Sequence, residues 1–151
     1  MYKKMLVPLD ASEYAECTLN HVNEVASAHG VEEVVLLTVI EPPRSTAVAY
    51  LGADRMEGLN SEAKESALRY LEKTRDQLTM CQNVKTVVVA GQPADGIINY
   101  ANENGTDLIV MSTHGLSGPS KWFIGSVAEK VVQRSPVPVF LIPSLQCRLS
   151  A

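Results

Sequence analysis

The sequence is poor in the features that announce most common functions. It has no apolar run approaching the roughly 20 residues needed to cross a bilayer, so no membrane partner is expected. Its start, "MYKKMLVPLD", has a basic opening but only a short apolar stretch, broken by Pro8 and Asp10; it reads as a first strand and not as a leader. Neither sign of charge dominates. With 13 basic and 17 acidic residues the net charge is -4, which leaves no electrostatic footprint for nucleic acid. Cysteine is scarce. Cys17, Cys81 and Cys147 form no CxxC and no metal-ligand spacing, so they read as structural thiols of a reducing compartment, and a cytoplasmic location is expected. Histidine is scarcer still in useful places, because His21 and His29 fall on the first helical stretch. There is no HExxH, no GxSxG and no credible Ser-His-Asp set, hence no catalytic residue to name. The first turn, "PLDASEYA", contains no glycine and no GxxxxGK(S/T) occurs, which excludes the dinucleotide fingerprint and the P-loop.

What is present is an orderly alternation of strands and helices. At 151 residues, 46% hydrophobic and 20% charged, the chain suits one globular domain, 1–151. "KKMLVPL" reads as a first strand. From Ser12 to His29 the positions Ala15, Leu19, Val22 and Ala26 recur at helical spacing, and Gly30 suits the stop. "EEVVLLTVI" reads as a second strand. Residues 42–58, with their prolines and glycines, read as a long variable loop, long enough for a lid in which Arg44 or Arg55 closes on a ligand. Residues 59–78 read as the longest helix, and "VKTVVVAG" as a third strand. Pro93 suits the first turn of a helix to about Asn104. "TDLIVMS" is a fourth strand, and Ser126 with Glu129 has capping-box spacing at the start of a last helix. "PVPVFLIP" is the fifth strand; Pro136 and Pro138 cannot donate ladder bonds, which puts it at an edge. Continuous apolar runs such as "VVLLTVI" are what parallel strands covered on both faces require. The expected fold is α/β: a five-stranded, doubly wound parallel sheet with helices on both faces.

In such sheets ligands sit beyond the carboxyl ends of the strands, where strand order reverses. The stretch "STHGLSGPSKWFIGS", Ser112 to Ser126, is the best place for one. Gly115 and Gly125 allow close backbone approach, and the helix start at Gly125–Ser126 offers unpaired amides to an anion. His114 can hydrogen-bond a phosphate. The same stretch also fits a glycine-rich connection with a capped helix, and spacing alone leaves both open. Asp10 ends the first strand; it reads either as a ligand or Mg²⁺ contact or as a helix cap.

Taken together, "LVPLDAS", "LLTVIEP", "GQPADGI", "DLIVMSTHG" and "GSVAEKVVQRSPVPVFLI" resemble the universal stress protein family along nearly the whole chain. The resemblance implies a Rossmann-like sheet in the order 3-2-1-4-5 and a homodimer through the last strand, about residues 137–143. Nucleotide-binding members carry the motif G-x2-G-x9-G-S/T. Here it reads Ser112-x2-Gly115-x9-Gly125-Ser126, with serine for the first glycine. The resemblance implies ATP, or another adenine nucleotide, held by Pro8, Asp10, Val39, Met111, Ser112, His114, Gly115, Gly125, Ser126 and Val127, with Mg²⁺ carried by the phosphates and Asp10. The function it implies is a nucleotide-binding stress or regulatory dimer with weak or no ATPase. A nucleotide-free dimeric module, a partner-activated ATPase and a flavin carrier are the alternatives.

Overall fold

The computed structural model describes residues 1–114 and 124–143. The chain runs β1 (Lys4–Pro8), α1 (Glu13–Glu16), α2 (Thr18–His29), β2 (Glu33–Ile40), α3 (Ser45–Leu51), α4 (Ala53–Arg75), β3 (Val84–Ala90), α5 (Pro93–Glu103), β4 (Leu108–Ser112), α6 (Ser126–Arg134) and β5 (Val139–Ile142). All the strand pairings are parallel. The sheet order is β3-β2-β1-β4-β5, as expected.

Alternation along the strands divides the core between the two faces. Met5, Val7, Val34, Leu36, Leu108 and Val110 point one way and pack with Leu19, Val22 and Leu71 of α2 and α4. Leu6, Val35, Leu37, Ile109 and Met111 point the other way and pack with Ile97 and Ala101 of α5 and Val131 of α6. The central strands are thus sealed on both sides, and each fully buried leucine or valine contributes about 1.5–3 kcal/mol. This is why β1, β2 and β4 carry no polar residue before their carboxyl ends apart from Lys4, Glu33 and Thr38.

Several local expectations change. The first helical stretch is two pieces, α1 and α2, and its cap is Ser12: the hydroxyl accepts from the Ala15 amide at 3.0 Å. Gly30 closes α2 in the left-handed conformation, as its position suggested. The segment 42–58 is not a loop. After Pro42 and Pro43 it forms α3, turns at Gly52 and enters α4 six residues before the expected start at Leu59. Glycine and proline content suggested a loop, but both prolines precede the helices and Gly58 is carried inside α4. The capping box does not form either. Gly125 occupies the cap position and Ser126 is the first helical residue, with no side-chain cap bond.

Cys81 is a buried free thiol. Cys17 is disulfide-bonded, contrary to its reading as a thiol. Cys147 lies outside the described residues. Among the described residues no helix is long and apolar enough to cross a membrane.

Candidate functional site

The order β2-β1-β4 means the chain leaves β1 toward one side and later returns to its other side. Their carboxyl ends therefore diverge and leave a crevice at the switch point. A cavity of about 420 Å³ opens there, within the usual range for small-molecule sites. Pro8, Asp10, Val39, Met111, Ser112, His114, Gly125, Ser126 and Val127 all line it. Of the residues anticipated from the sequence, Gly115 lies outside the described residues. Leu37, Thr38, Glu41, Pro93, Ile97 and Ala128 also line the cavity and were not anticipated. Most act through apolar contact or backbone, which leaves no residue-type signal. Glu41 is different: it stands in the "LLTVIEP" stretch, and a carboxylate at the end of an apolar run is a signal for it.

At the floor, β1 ends and reverses sharply. The Leu9 amide still donates to the Leu37 carbonyl at 2.8 Å, and the Thr38 hydroxyl donates to the Leu9 carbonyl at 2.9 Å. Ala11 then adopts φ 63°, the one non-glycine residue with positive φ among those described. That conformation costs an L-residue roughly 1–2 kcal/mol. The Asp10 carboxylate helps hold the turn by accepting from the Ser12 amide at 3.0 Å. Asp10 is therefore not the helix cap, a role Ser12 performs, and its side chain remains exposed at the crevice.

The β2 side offers a matched pair of backbone groups. In a parallel strand the amide and carbonyl of one residue face the same neighbour, and the next residue faces the other. Leu37 faces β1, accepting from Leu9, whereas Ile40 faces β3, accepting from the Gly91 amide at 2.9 Å. By this alternation the amide and carbonyl of Val39 face the β1 side, where β1 has already ended. One donor and one acceptor thus point into the apolar end of the cavity, beside Pro8, Met111 and Ile97.

The β4 side is polar. Thr113 continues the ladder, its amide donating to the Ile142 carbonyl at 3.0 Å. The Ser112 hydroxyl is buried and donates to the His114 carbonyl at 2.7 Å. It is thus spent inside the turn and not offered to a ligand. Ser112 belongs to β4 and has no positive φ, so the serine costs no backbone strain there. His114 is buried against the cavity, with Nδ1 3.0 Å from the Thr113 hydroxyl oxygen.

Gly125 presses on this strand end. Its amide donates to the Thr113 carbonyl at 2.8 Å. A Cβ there would stand 2.9 Å from that same oxygen, so only glycine fits. The Gly125 amide is consequently unavailable to an anion, contrary to expectation. The first intrahelical bond of α6 runs from the Glu129 amide to the Gly125 carbonyl. The amides of Ser126, Val127 and Ala128 therefore have no acceptor among the described residues, and all three residues line the cavity. They are where the positive end of the α6 dipole lies. The charged side chains on the described lining are Asp10 and Glu41; no Lys or Arg is among them. No group of three or more His, Cys, Asp or Glu that could hold a metal ion occurs among the described residues.

A doubly wound parallel sheet with a ligand-sized crevice at the switch point defines a class of α/β binding domain. Within that class the chain belongs to the universal stress protein family, whose model matches residues 1–143. The universal stress protein MJ0577 of Methanocaldococcus jannaschii is 33% identical over 155 residues, covering 94% of this chain and 95% of that one. Its solved structure superposes with a TM-score of 0.81, over 95% of this chain and 96% of that chain, at 32% identity. A universal stress protein of Methanothermobacter thermautotrophicus is 36% identical over 150 residues, covering 94% and 96% of the two chains. The structure of an Archaeoglobus fulgidus universal stress protein in complex with dAMP shares the fold at 22% identity, with a TM-score of 0.60 and 93% and 98% coverage.

Proposed function

We propose that this chain binds an adenine nucleotide, ATP in the first instance, in the switch-point crevice, and acts as a dimeric stress or regulatory protein through its bound state. One observation carries the reading. A single cavity sets an outward-facing donor–acceptor pair at Val39, among apolar side chains, opposite three open helix amides at Ser126–Ala128. The first end suits the edge of a purine, and the second suits phosphate. Pro8, Met111 and Ile97 would sandwich the base. The dAMP complex of the Archaeoglobus fulgidus protein supports this at the level of fold.

Phosphates bound here meet helix amides but no basic side chain among the described residues. A triphosphate would accordingly bring Mg²⁺ with it, and Asp10 on the rim is the residue to face that ion. Hydrolysis also needs a group to activate the attacking water, and Asp10 is the one carboxylate this reading places near the phosphates. Weak or no ATPase is the expectation. The dimer would form through β5, a sheet edge on which Phe140 is 49% exposed.

The decisive experiment is calorimetric titration with Mg-ATP of the wild type and of Ser126→Pro. Proline at the first helical position keeps α6 intact, and Gly125, at φ -61° and ψ 153°, already has the backbone a following proline requires. The variant deletes one open amide and one hydroxyl. Affinity should fall about tenfold, the worth of one charge-assisted hydrogen bond, with the melting temperature unchanged or higher. Equal affinities would remove α6 from the phosphate site. No heat from the wild type would remove the nucleotide altogether.

A further inference from the structure

Glu41 follows β2 directly and lines the crevice, yet it forms none of the ion pairs found among the described residues. Its place decides what a carboxylate can do there. The open amides of α6 lie at the β4 side of the cavity, and Glu41 lies at the β2 side, with β1 between them. Neighbouring strands are about 4.8 Å apart, so the two features are separated by roughly two strand spacings, on the order of 10 Å. A carboxylate at that remove does not compete with phosphate for the helix amides. It stands instead two residues beyond Val39, whose amide and carbonyl face the cavity.

We propose that Glu41 is a specificity-determining residue that selects a 6-amino purine over a 6-oxo purine in this crevice. The proposal rests on the reading of the cavity as a purine nucleotide site. A base whose edge pairs with the Val39 backbone turns its exocyclic 6-substituent toward the chain that follows β2. An ionised carboxylate accepts hydrogen bonds and donates none. It therefore accepts from the adenine amine and repels the hypoxanthine carbonyl oxygen, whose lone pairs would face a negative charge. Glu41 is exposed at the rim of the crevice, so the discrimination comes from the charge of the carboxylate and its lack of a donor, and not from burial. Asp10, the other carboxylate on the described lining, is held in the turn after β1 by the Ser12 amide and serves a different part of the crevice. Glutamine at position 41 has both a donor and an acceptor, so it satisfies either base at almost the same size.

The test is calorimetric titration with Mg-ATP and with Mg-ITP, its 6-oxo counterpart, on four proteins. These are the wild type, Glu41→Gln, Glu41→Ala and Glu32→Gln. The last alters an exposed carboxylate at the opposite end of the sheet, where Glu32 pairs with Lys3. The wild type should favour ATP by about tenfold or more. Glu41→Gln should shrink the ratio, chiefly by tightening ITP, and leave the part that the Val39 backbone pair imposes; Glu41→Ala should lower ATP affinity and also shrink the ratio. Glu32→Gln should behave as the wild type. A wild type that binds ATP while both position-41 variants keep its ATP-to-ITP ratio overturns the role of Glu41 and leaves the nucleotide site standing. A wild type that binds neither compound overturns both.

Discussion

At Ser112, which the sequence reading sets in place of a motif glycine, the structure accommodates a side chain. The residue completes an extended strand, and its hydroxyl ties the turn by donating to the His114 carbonyl. Restoring glycine removes that bond and frees the unfolded chain. Each effect costs about 1 kcal/mol. Ser112→Gly should therefore be less stable by about 1–2 kcal/mol in urea denaturation, with no gain in nucleotide affinity; a tighter-binding variant would mean that the serine obstructs the site. The same scale shows how far residue types can be read. The motif spacing pointed at Gly125, which lines the crevice, but for its amide, which is spent on Thr113. What glycine supplies there is room for the Thr113 carbonyl, so replacing Gly125 would disturb packing as well as any ligand. Ala128 and Val39 would act through backbone alone, and no side chain announces them. Nothing in the identity of Ala11 foretells its left-handed φ.

At the scale of elements, strands were legible throughout, and helix boundaries only where glycine or proline marks them, as at Gly30 and Pro93. Apolar runs located every strand because a strand buried on both faces tolerates few polar residues. Residues 42–58 failed as a loop because α3 has no buried residue to give it a periodic face, and the first part of α4 buries only Met56. A helix that packs on little carries no apolar stripe to read. The opposite ends of the strands carry a feature invisible to periodicity. Glu33 of β2 meets Lys4 of β1 at 2.8 Å and Lys85 of β3 at 2.6 Å, tying three strands at their amino ends. The two lysine hydrogen bonds hold the Glu33 carboxyl at about 2, well below its ordinary 4.5. A depressed carboxyl stabilises the fold above its unfolded value and loses that contribution as pH falls. The Glu33 contribution is thus complete above about pH 4.5 and disappears on acidification toward pH 2. Thermal unfolding of wild type and Glu33→Gln should differ most at neutral pH and converge near pH 2. Parallel curves across that window would mean the lysines do not bind Glu33 in the folded state.

For the whole molecule, the fold and family were readable from motifs spread along the chain. For the proposed dimer, the residues themselves offer only a proline-marked edge. β5 lies at that edge with four residues, and Phe140 and Val132 are about half exposed nearby. An apolar edge of this kind invites pairing, and a second copy offers the same surface. Phe140→Glu places a charge in the centre of the proposed dimer contact without touching the crevice lining. It should turn a dimer into a monomer in sedimentation equilibrium, while the circular dichroism spectrum stays unchanged. A monomeric wild type, or a variant that dimerises as tightly, would move the interface elsewhere. The edge is also joined to the site, because the Ile142 carbonyl of β5 accepts from the Thr113 amide at the crevice wall. Coupling between binding and assembly is then reciprocal. Where Phe140→Glu acts only by abolishing the dimer, the factor it removes from nucleotide affinity enters once per site, so saturating nucleotide must raise wild-type dimer affinity by the square of that factor. The two measurements have to agree whether that factor is large or close to one.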